Sequence, residues 1–434
     1  MVARVFIVDG ARTPFLKART GPGPFAAAEL ALIAGRALMA GQPVHPSDLD
    51  EVILGCVIPA PDEANIARIV GLRLGTGAAV PAFTVQRNCA SGLQALATAF
   101  DHIQAGRAHL VLAGGTESMS RAPIQWNRAM SGWVAQMLRA KTVTARVRAL
   151  LGLRPAYLRP VFSLLLGLRD PVVGLSMGQT AEIVAARFDI GRDAQDAYAL
   201  QSHGRTAAAR AEGLFDDEIV VAYEQGGRFH VEDDGVRPDS DVGQLARLKP
   251  VFERPYGTVT SGNSSQITDG AALLLLASEE AVARHDLPVI GEILDHDWAG
   301  VDPAQMGLGP VHATAKLLAR QPLKLGDIAH VELNEAFAGQ VLACQAAFAS
   351  PEYARGELKV AEPLGAIDPA RLNPDGGAIA VGHPVGATGA RLVLHIAKAL
   401  RRRGGGLGLA TLCIGGGQGG AMLVRSTDSV KGGA

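Results

Sequence analysis

An α/β fold made of two similar halves is what the sequence predicts, and three observations carry that expectation. Strand-like and helix-like apolar patterns alternate through most of the 434 residues, the order of sheets covered by helices. The order also recurs. "NCASGLQALATAF…HLVLAGGTESM" and "GHPVGATGARLVLHI…LGLATLCIGGG" each read as a loop, a helix starting beside a Gly, and a strand ending in Gly-Gly. Such self-similarity indicates duplication of a roughly 130-residue unit. Finally, apolar residues make up 48% and charged residues 19% of the chain, enough to bury a large core.

In the first half, Val5–Val8 reads as a strand, Phe25–Met39 as an Ala/Leu-rich helix and Glu51–Gly55 as a strand. Ile66–Leu72 (helix), Phe83–Gln86 (strand), Ser91–Ala105 (helix) and His109–Ala113 (strand) follow. The apolar run Ala271–Ala277 has the length of a strand or a short helix. In the second half, the strand Ile328–Leu333 runs into Asn334-Glu335-Ala336-Phe337 and a helix. The Gly-rich loop Gly376–Gly389 then leads into a helix over Ala390–Arg402 and the strand Leu407–Leu412.

Between the halves the composition changes. From Ser118 to Arg169 there is no Asp or Glu, while Arg and Lys supply nine positive charges. Trp126, Met130, Trp133, Met137 and Leu138 fall at the spacing of one helix face. Helices are predicted over Val173–Ala186 and Ala194–Ala211, and a loop over Gly226–Gly243. The expected division is an N-terminal domain of 1–120 and 246–282, an inserted helical segment of 121–245, and a C-terminal domain of 283–434.

Composition excludes several functions. With 41 basic and 42 acidic side chains the net charge is -1, so the chain is no basic nucleic-acid binder. Four Cys in so long a chain make no disulfide framework, and His and Cys lack zinc-site spacing. No apolar run reaches the ~18 residues of a membrane span. A strand pattern beginning almost at Met1 leaves no room for a leader, and a cytoplasmic location is expected. Gly415-Gly-Gly-Gln-Gly-Gly420 lacks the Lys-Ser/Thr of a P-loop.

Four short motifs carry chemistry. Asn88-Cys89-Ala90-Ser91-Gly92 puts a thiol between a strand and a helix start, where free N–H groups and the helix dipole should lower its pKa and furnish an oxyanion hole. Gly382-His383-Pro384 puts a candidate base at the corresponding place in the second half. Cys413-Ile414-Gly415 puts a second thiol at a strand end beside glycines that let a ligand approach. Asn334-Glu335-Ala336-Phe337 also follows a strand, and strand ends are where α/β folds bind ligands. Glu335 is expected to be structural, and Cys56 and Cys344 to be core thiols.

Together these motifs resemble the thiolase family, acetyl-CoA acyltransferases acting on 3-ketoacyl-CoA. The resemblance runs from Val8-Asp-Gly-Ala-Arg-Thr-Pro14 to Met422, nearly the whole chain, and is nearest in appearance to the long-chain β-oxidation branch. It implies a five-layer α-β-α-β-α core with a loop domain over the site and a homodimer or homotetramer. It implies coenzyme A as co-substrate, with no other cofactor and no metal. Cys89 matches the nucleophile, His383 its base and Cys413 the proton-shuttling thiol. Asn334 matches the residue holding a water that, with His383, forms one oxyanion hole, and the amides of Cys89 and Gly415 match the other. Ser265, Met177 and Met306 line up with residues along the pantetheine tunnel.

The chain departs from the pattern at Ser176, where short-chain biosynthetic members carry His, and at Asn334, where trifunctional β-subunits often carry His. An acetoacetyl-CoA-forming acetyltransferase, a ketosynthase and a silent acyl-lipid carrier are the competing readings. Cys413 argues against a ketosynthase, and retention of Cys89 and His383 against a carrier. The basic segment 121–169 has the pattern of an interfacial amphipathic helix. It is expected to meet an anionic membrane or a hydratase/dehydrogenase α-subunit, unless its charges serve the phosphates of CoA or simply solvate a helical hairpin whose apolar face is core.

Overall fold

The strand pattern near the N-terminus becomes β1 (Val5–Arg12) of a computed structural model that describes residues 3–427. The first half continues with α1 (Ala27–Ala40), β2 (Glu51–Gly55), α2 (Ile66–Leu74), β3 (Ala82–Val85), α3 (Ser91–Gln104) and β4 (Leu110–Ser118). Residues 119–267 then leave the sheet and carry α4 (Arg128–Arg139), α5 (Val143–Leu151), α6 (Met177–Arg187) and α7 (Arg192–Ala211). The chain returns as β5 (Thr268–Ser278) and β6 (Gly291–Gly300), followed by α8 (Gly309–Ala319), β7 (His330–Leu333) and α9 (Ala338–Ala349). It closes with α10 (Thr388–Arg402), β8 (Leu407–Ile414) and β9 (Gln418–Arg425).

The duplication has a structural counterpart. In each half a central helix, α3 or α10, leads into a strand, β4 or β8, that is parallel to β2 or β7 and antiparallel to β5 or β9. The strand order is β7-β8-β9-β6-β1-β5-β4-β2-β3. One apolar cluster packs α1 and α2 on one sheet face, a second encloses α3 and α10, and a third packs α8 and α9 on the far side. These are the five layers expected. The two sheets are not separate, however. β1 pairs with β5 through Val5↔Ser278 and with β6 through Val5↔Ile293, joining them edge to edge.

Ala271–Ala277 lies in β5 with alternate residues in different clusters: Leu273 and Leu275 face α1, Leu274 and Leu276 the central helices. A strand covered on both faces needs no polar alternation. The central helices touch at their N-terminal ends. A Cβ on Gly92 would lie 2.8 Å from the Gly386 carbonyl oxygen, and one on Gly389 would lie 2.5 Å from the Leu93 amide. Glycine permits this approach, which brings the loop before α3 against the loop before α10.

The insertion differs from the expected single helix face. Met130, Trp133 and Met137 turn inward, and Trp133 Nε1 donates to the Ala149 carbonyl on α5 at 2.7 Å. Leu138, about 100° further round the helix, is 82% exposed. Trp126 precedes the helix in a short strand paired with 160–162.

A buried charge network fastens the insertion to α10. Arg12 Nε meets Glu218 and its Nη1 meets Asp233, both at 2.8 Å. His395 of α10 contacts Glu218 at 3.0 Å and Asp375 at 3.1 Å. Burial works against the imidazolium, but the two carboxylates outweigh it and hold His395 up to about 9. His330, Glu332 and His395 lie close enough to share an ion. Glu332 instead receives His330 and Arg391, and His330 Nδ1 faces Arg403, so this is an ion-pair network. Among the described residues no helix is long and apolar enough to cross a membrane.

Candidate active site

Where the two central helices meet, a cavity of ≈ 480 Å³ opens. Cys89, His383, Cys413, Ser265, Met177 and Met306 all stand on its wall. Six of the eight residues singled out from the sequence therefore converge from both halves and the segment between them.

Cys89 lies two residues before α3, which begins at Ser91. Asn88 takes a left-handed φ of 44°, a conformation that Asn tolerates better than most residues. Its Nδ2 donates to the Gly415 carbonyl at 2.7 Å, and Ser91 Oγ donates to the Asn88 carbonyl at 2.7 Å. The elbow is thus locked to the β8–β9 turn, where Gly416 and Gly417 have φ of 90° and 76°.

The expected lowering of the Cys89 pKa is corrected. Burial pushes the thiol up, and the backbone N–H groups of Gly415 and Cys89 pull the other way without overcoming it. Desolvation here outweighs the help that a helix start gives a thiolate. The Gly415 and Cys89 amides both reach the sulfur.

His383 is 7% exposed. Its Nδ1 lies 2.7 Å from Thr388 Oγ1, and Thr388 donates its only hydroxyl proton to the Pro384 carbonyl. Nδ1 must therefore carry the imidazole proton, which leaves Nε2 as a bare acceptor with no protein partner. Burial, then the nearby Arg391, depresses His383 to about 4, so the ring is a neutral base at physiological pH. Cys413 is 1% exposed, and burial holds its thiol well above the usual range.

Asn334 and Gly415 stand off the cavity wall. The Asn334 backbone N–H donates to the Thr411 carbonyl at 2.9 Å, two residues from Cys413. Its side-chain oxygen and nitrogen are both buried without a protein partner, an arrangement that costs free energy unless a ligand or water is served. Glu335 is the structural clamp expected, accepting from Tyr198, Ser202, Asn373 and the Ile379 amide. Ser265 joins its loop to the Asn334 motif, its N–H donating to the Ala336 carbonyl at 3.0 Å.

Sequence reasoning missed Lys17 and Arg237 on the wall, and Leu165 and Leu168 from the insertion. None of the nine basic side chains of 118–169 is on that wall. Thr388 was also missed, although a hydroxyl five residues after a candidate base, in the first turn of a helix, was a readable signal.

The family model for the thiolase N-terminal domain matches residues 5–280, and that for the C-terminal domain matches 287–426. The chain belongs to the thiolase family. The 3-ketoacyl-CoA thiolase of Yersinia enterocolitica is 38% identical over 424 residues, 97% of both chains. Among solved thiolase structures, human mitochondrial 3-ketoacyl-CoA thiolase in complex with CoA is 36% identical, with TM-score 0.84 over 98% of each chain. The acetyl-CoA acetyltransferase of Bacillus anthracis is 34% identical, with TM-score 0.83 over 98% of this chain and 99% of that one.

Proposed function

We propose that this thiolase is an acetyl-CoA C-acyltransferase that cleaves 3-ketoacyl-CoA with CoA, giving acetyl-CoA and a shortened acyl-CoA. The observation that carries the reading is two thiols and one neutral imidazole on a single wall, with two amides directed at one of the sulfurs. His383 Nε2 takes the Cys89 proton, and Sγ attacks the keto carbon while the Cys89 and Gly415 amides stabilise the oxyanion. The bond between C2 and C3 breaks, its electron pair staying on C2 as the acetyl-CoA enolate beside Asn334 and His383. The Cys413 thiol protonates that carbon. Incoming CoA then gives its proton to the Cys413 thiolate and attacks the acyl group. Cys89 leaves as thiolate and recovers its proton from His383.

Ser265, Met177 and Met306 would line the pantetheine path, and Lys17 and Arg237 supply positive charge for a phosphorylated ligand. Leu165 and Leu168 give the wall the apolar surface an acyl chain needs. No further cofactor is required by this chemistry. Thiolysis of C4 and C16 3-ketoacyl-CoA, followed as loss of enolate absorbance, tests the reading and the chain length together. In the same assay Cys413→Ala should lower cleavage by about 10²–10⁴-fold, the usual worth of a placed proton donor. Acetylation of the enzyme by acetyl-CoA should change less than about tenfold by the same scale. Equal damage to both steps would make Cys413 merely structural.

We further assign domains at 1–120 with 246–282, 121–245 and 283–434, and a cytoplasmic location. A homodimer or homotetramer is proposed because β3, at the end of the sheet, is an edge strand of half-exposed residues, a template for pairing with a second copy. For 121–169 the proposed partner is an anionic membrane surface. Val143, Leu138 and Leu151 are 76–84% exposed among nine basic and no acidic side chains, and polybasic attraction with apolar insertion is the chemistry of peripheral binding. Flotation with anionic vesicles should succeed at low salt and fail at high salt, because the attraction is screened within about 8–10 Å. Binding to neither anionic nor neutral vesicles would sink it. An α-subunit on the same face would then be read from pull-downs with and without 129–168.

A further inference from the structure

Glu117 of β4 is fully buried, and among the described residues no basic side chain forms an ion pair with it. It is served by backbone instead. Val57 N–H donates to Oε2 at 2.8 Å and Ile58 N–H to Oε1 at 3.0 Å, with Cys56 Sγ 3.5 Å from Oε1. The Gly386 N–H, three residues after His383, also reaches the carboxylate. Packing there is tight: a Cβ on Gly386 would lie 2.8 Å from Glu117 Oε2 and 2.3 Å from the Thr116 carbonyl oxygen. One carboxylate thus ties the loop after β2 and the loop after His383 to β4, and its charge is felt at Cys89, where it opposes the thiolate.

We propose that Glu117 is a positioning residue for acyl transfer, which as a carboxylate fixes the 384–386 loop and so the aim of His383. The inference rests on the roles given above to Cys89 and His383. Two consequences follow from the geometry. The clamp needs acceptor oxygens only, because every backbone partner is a donor. Protonating the carboxyl therefore turns one oxygen from acceptor to donor and loosens a loop contact. It also removes the like charge behind Cys89. Burial pushes Glu117 up to about 7, with the Val57 and Ile58 amides holding it from going higher, so the change falls within the neutral range. The titratable groups facing it are Cys56 at the end of β2 and Cys89 before α3. Glu63 acts on Cys56 from outside, and His383 lies beyond Gly386.

The test is the pH dependence of Cys89 alkylation by iodoacetamide in the full-length protein, read as the modified Cys89 peptide by mass spectrometry. Wild type should show an inflection near pH 7 besides the ionisation of Cys89 itself. Glu117→Gln should abolish that inflection and speed alkylation at pH 8, by removing the like charge near Cys89. Its thiolysis kcat should fall while KM for CoA stays within about twofold, because Glu117 is not on the cavity wall. Glu117→Asp should keep the inflection and lower kcat. Superimposable profiles for wild type and Glu117→Gln, with only a lower Tm, would make Glu117 a packing residue. If Glu117→Gln does not fold, a single inflection in wild type overturns the proposal. Loss of wild-type thiolysis itself would instead indict the roles of Cys89 and His383.

Discussion

Cys89→Ala is expected to remove acyl transfer altogether, a loss on the order of 10⁴-fold or more for a covalent nucleophile. No other thiol can replace it. Cys56 and Cys344 are off the cavity wall, and Cys413, the other thiol on it, is not the sulfur that the Gly415 and Cys89 amides reach. Folding should survive, because the elbow is held by Asn88 and Ser91 and not by the thiol. Incubation of wild type with acetyl-CoA should leave an acetyl group on the Cys89 peptide, seen by mass spectrometry, and the variant should carry none. An adduct on the Cys413 peptide would exchange the roles of the two thiols.

His383→Ala should slow both half-reactions. A positioned base contributes about 10²–10⁴-fold and an oxyanion donor about 10²–10³-fold, and the variant loses both. Because the Cys89 thiol is raised by burial, the base matters more here than beside a pre-formed thiolate. Thr388 fixes Nε2 as the acceptor, and burial keeps the ring neutral down to about pH 4. The acid limb of kcat/KM that belongs to His383 should therefore lie near pH 4, well below the 6.5 of an ordinary His. A limb at 6.5 that vanishes in the variant would contradict the burial argument. Stability carries opposite signs at two histidines. The unfolded chain protonates His383 first, so its share of stability falls as pH drops from about 6.5 towards 4. His395, raised to about 9, stabilises below about 6.5 and loses that contribution as pH rises through 9.

What the sequence disclosed of the site was its reactive groups, because each stands in a Gly-flanked strand-end motif whose chemistry is local. What it hid depends on distance or burial. Lys17, in a two-residue strand paired with Thr268, and Arg237, in a loop, lie far apart in the chain and meet only in the folded wall. The acidity of Cys89 was misjudged because a helix start is visible in a sequence and desolvation is not. Asn88 and Thr388 work through backbone carbonyls, which leave no pattern of residue types. For the fold, alternation and duplication were legible. The edge-to-edge join at β1 was not, since β6 carries Glu292, Asp295, His296 and Asp297 and so lacks the apolar run that marks β5. Trp126 and Leu138 were assigned to one helix face by spacing alone, and Asn127, which caps α4 by accepting from the Met130 N–H at 3.0 Å, shows where that helix starts.

The shared central layer sets the order in which the chain can finish folding on a ribosome. When β5 has emerged, all five strands of the first sheet, β1-β5-β4-β2-β3, are present, yet the face of α3 that meets α10 has nothing against it. More than a hundred further residues must be translated before Thr388–Arg402 can cover it. At the usual ~5–20 residues per second the nascent protein spends many seconds with that apolar surface bare. Long-range pairing of this kind is slow and prone to aggregation, so a fragment ending near residue 280 should be a client for chaperones, and the two halves expressed on separate chains should be recovered only when made together.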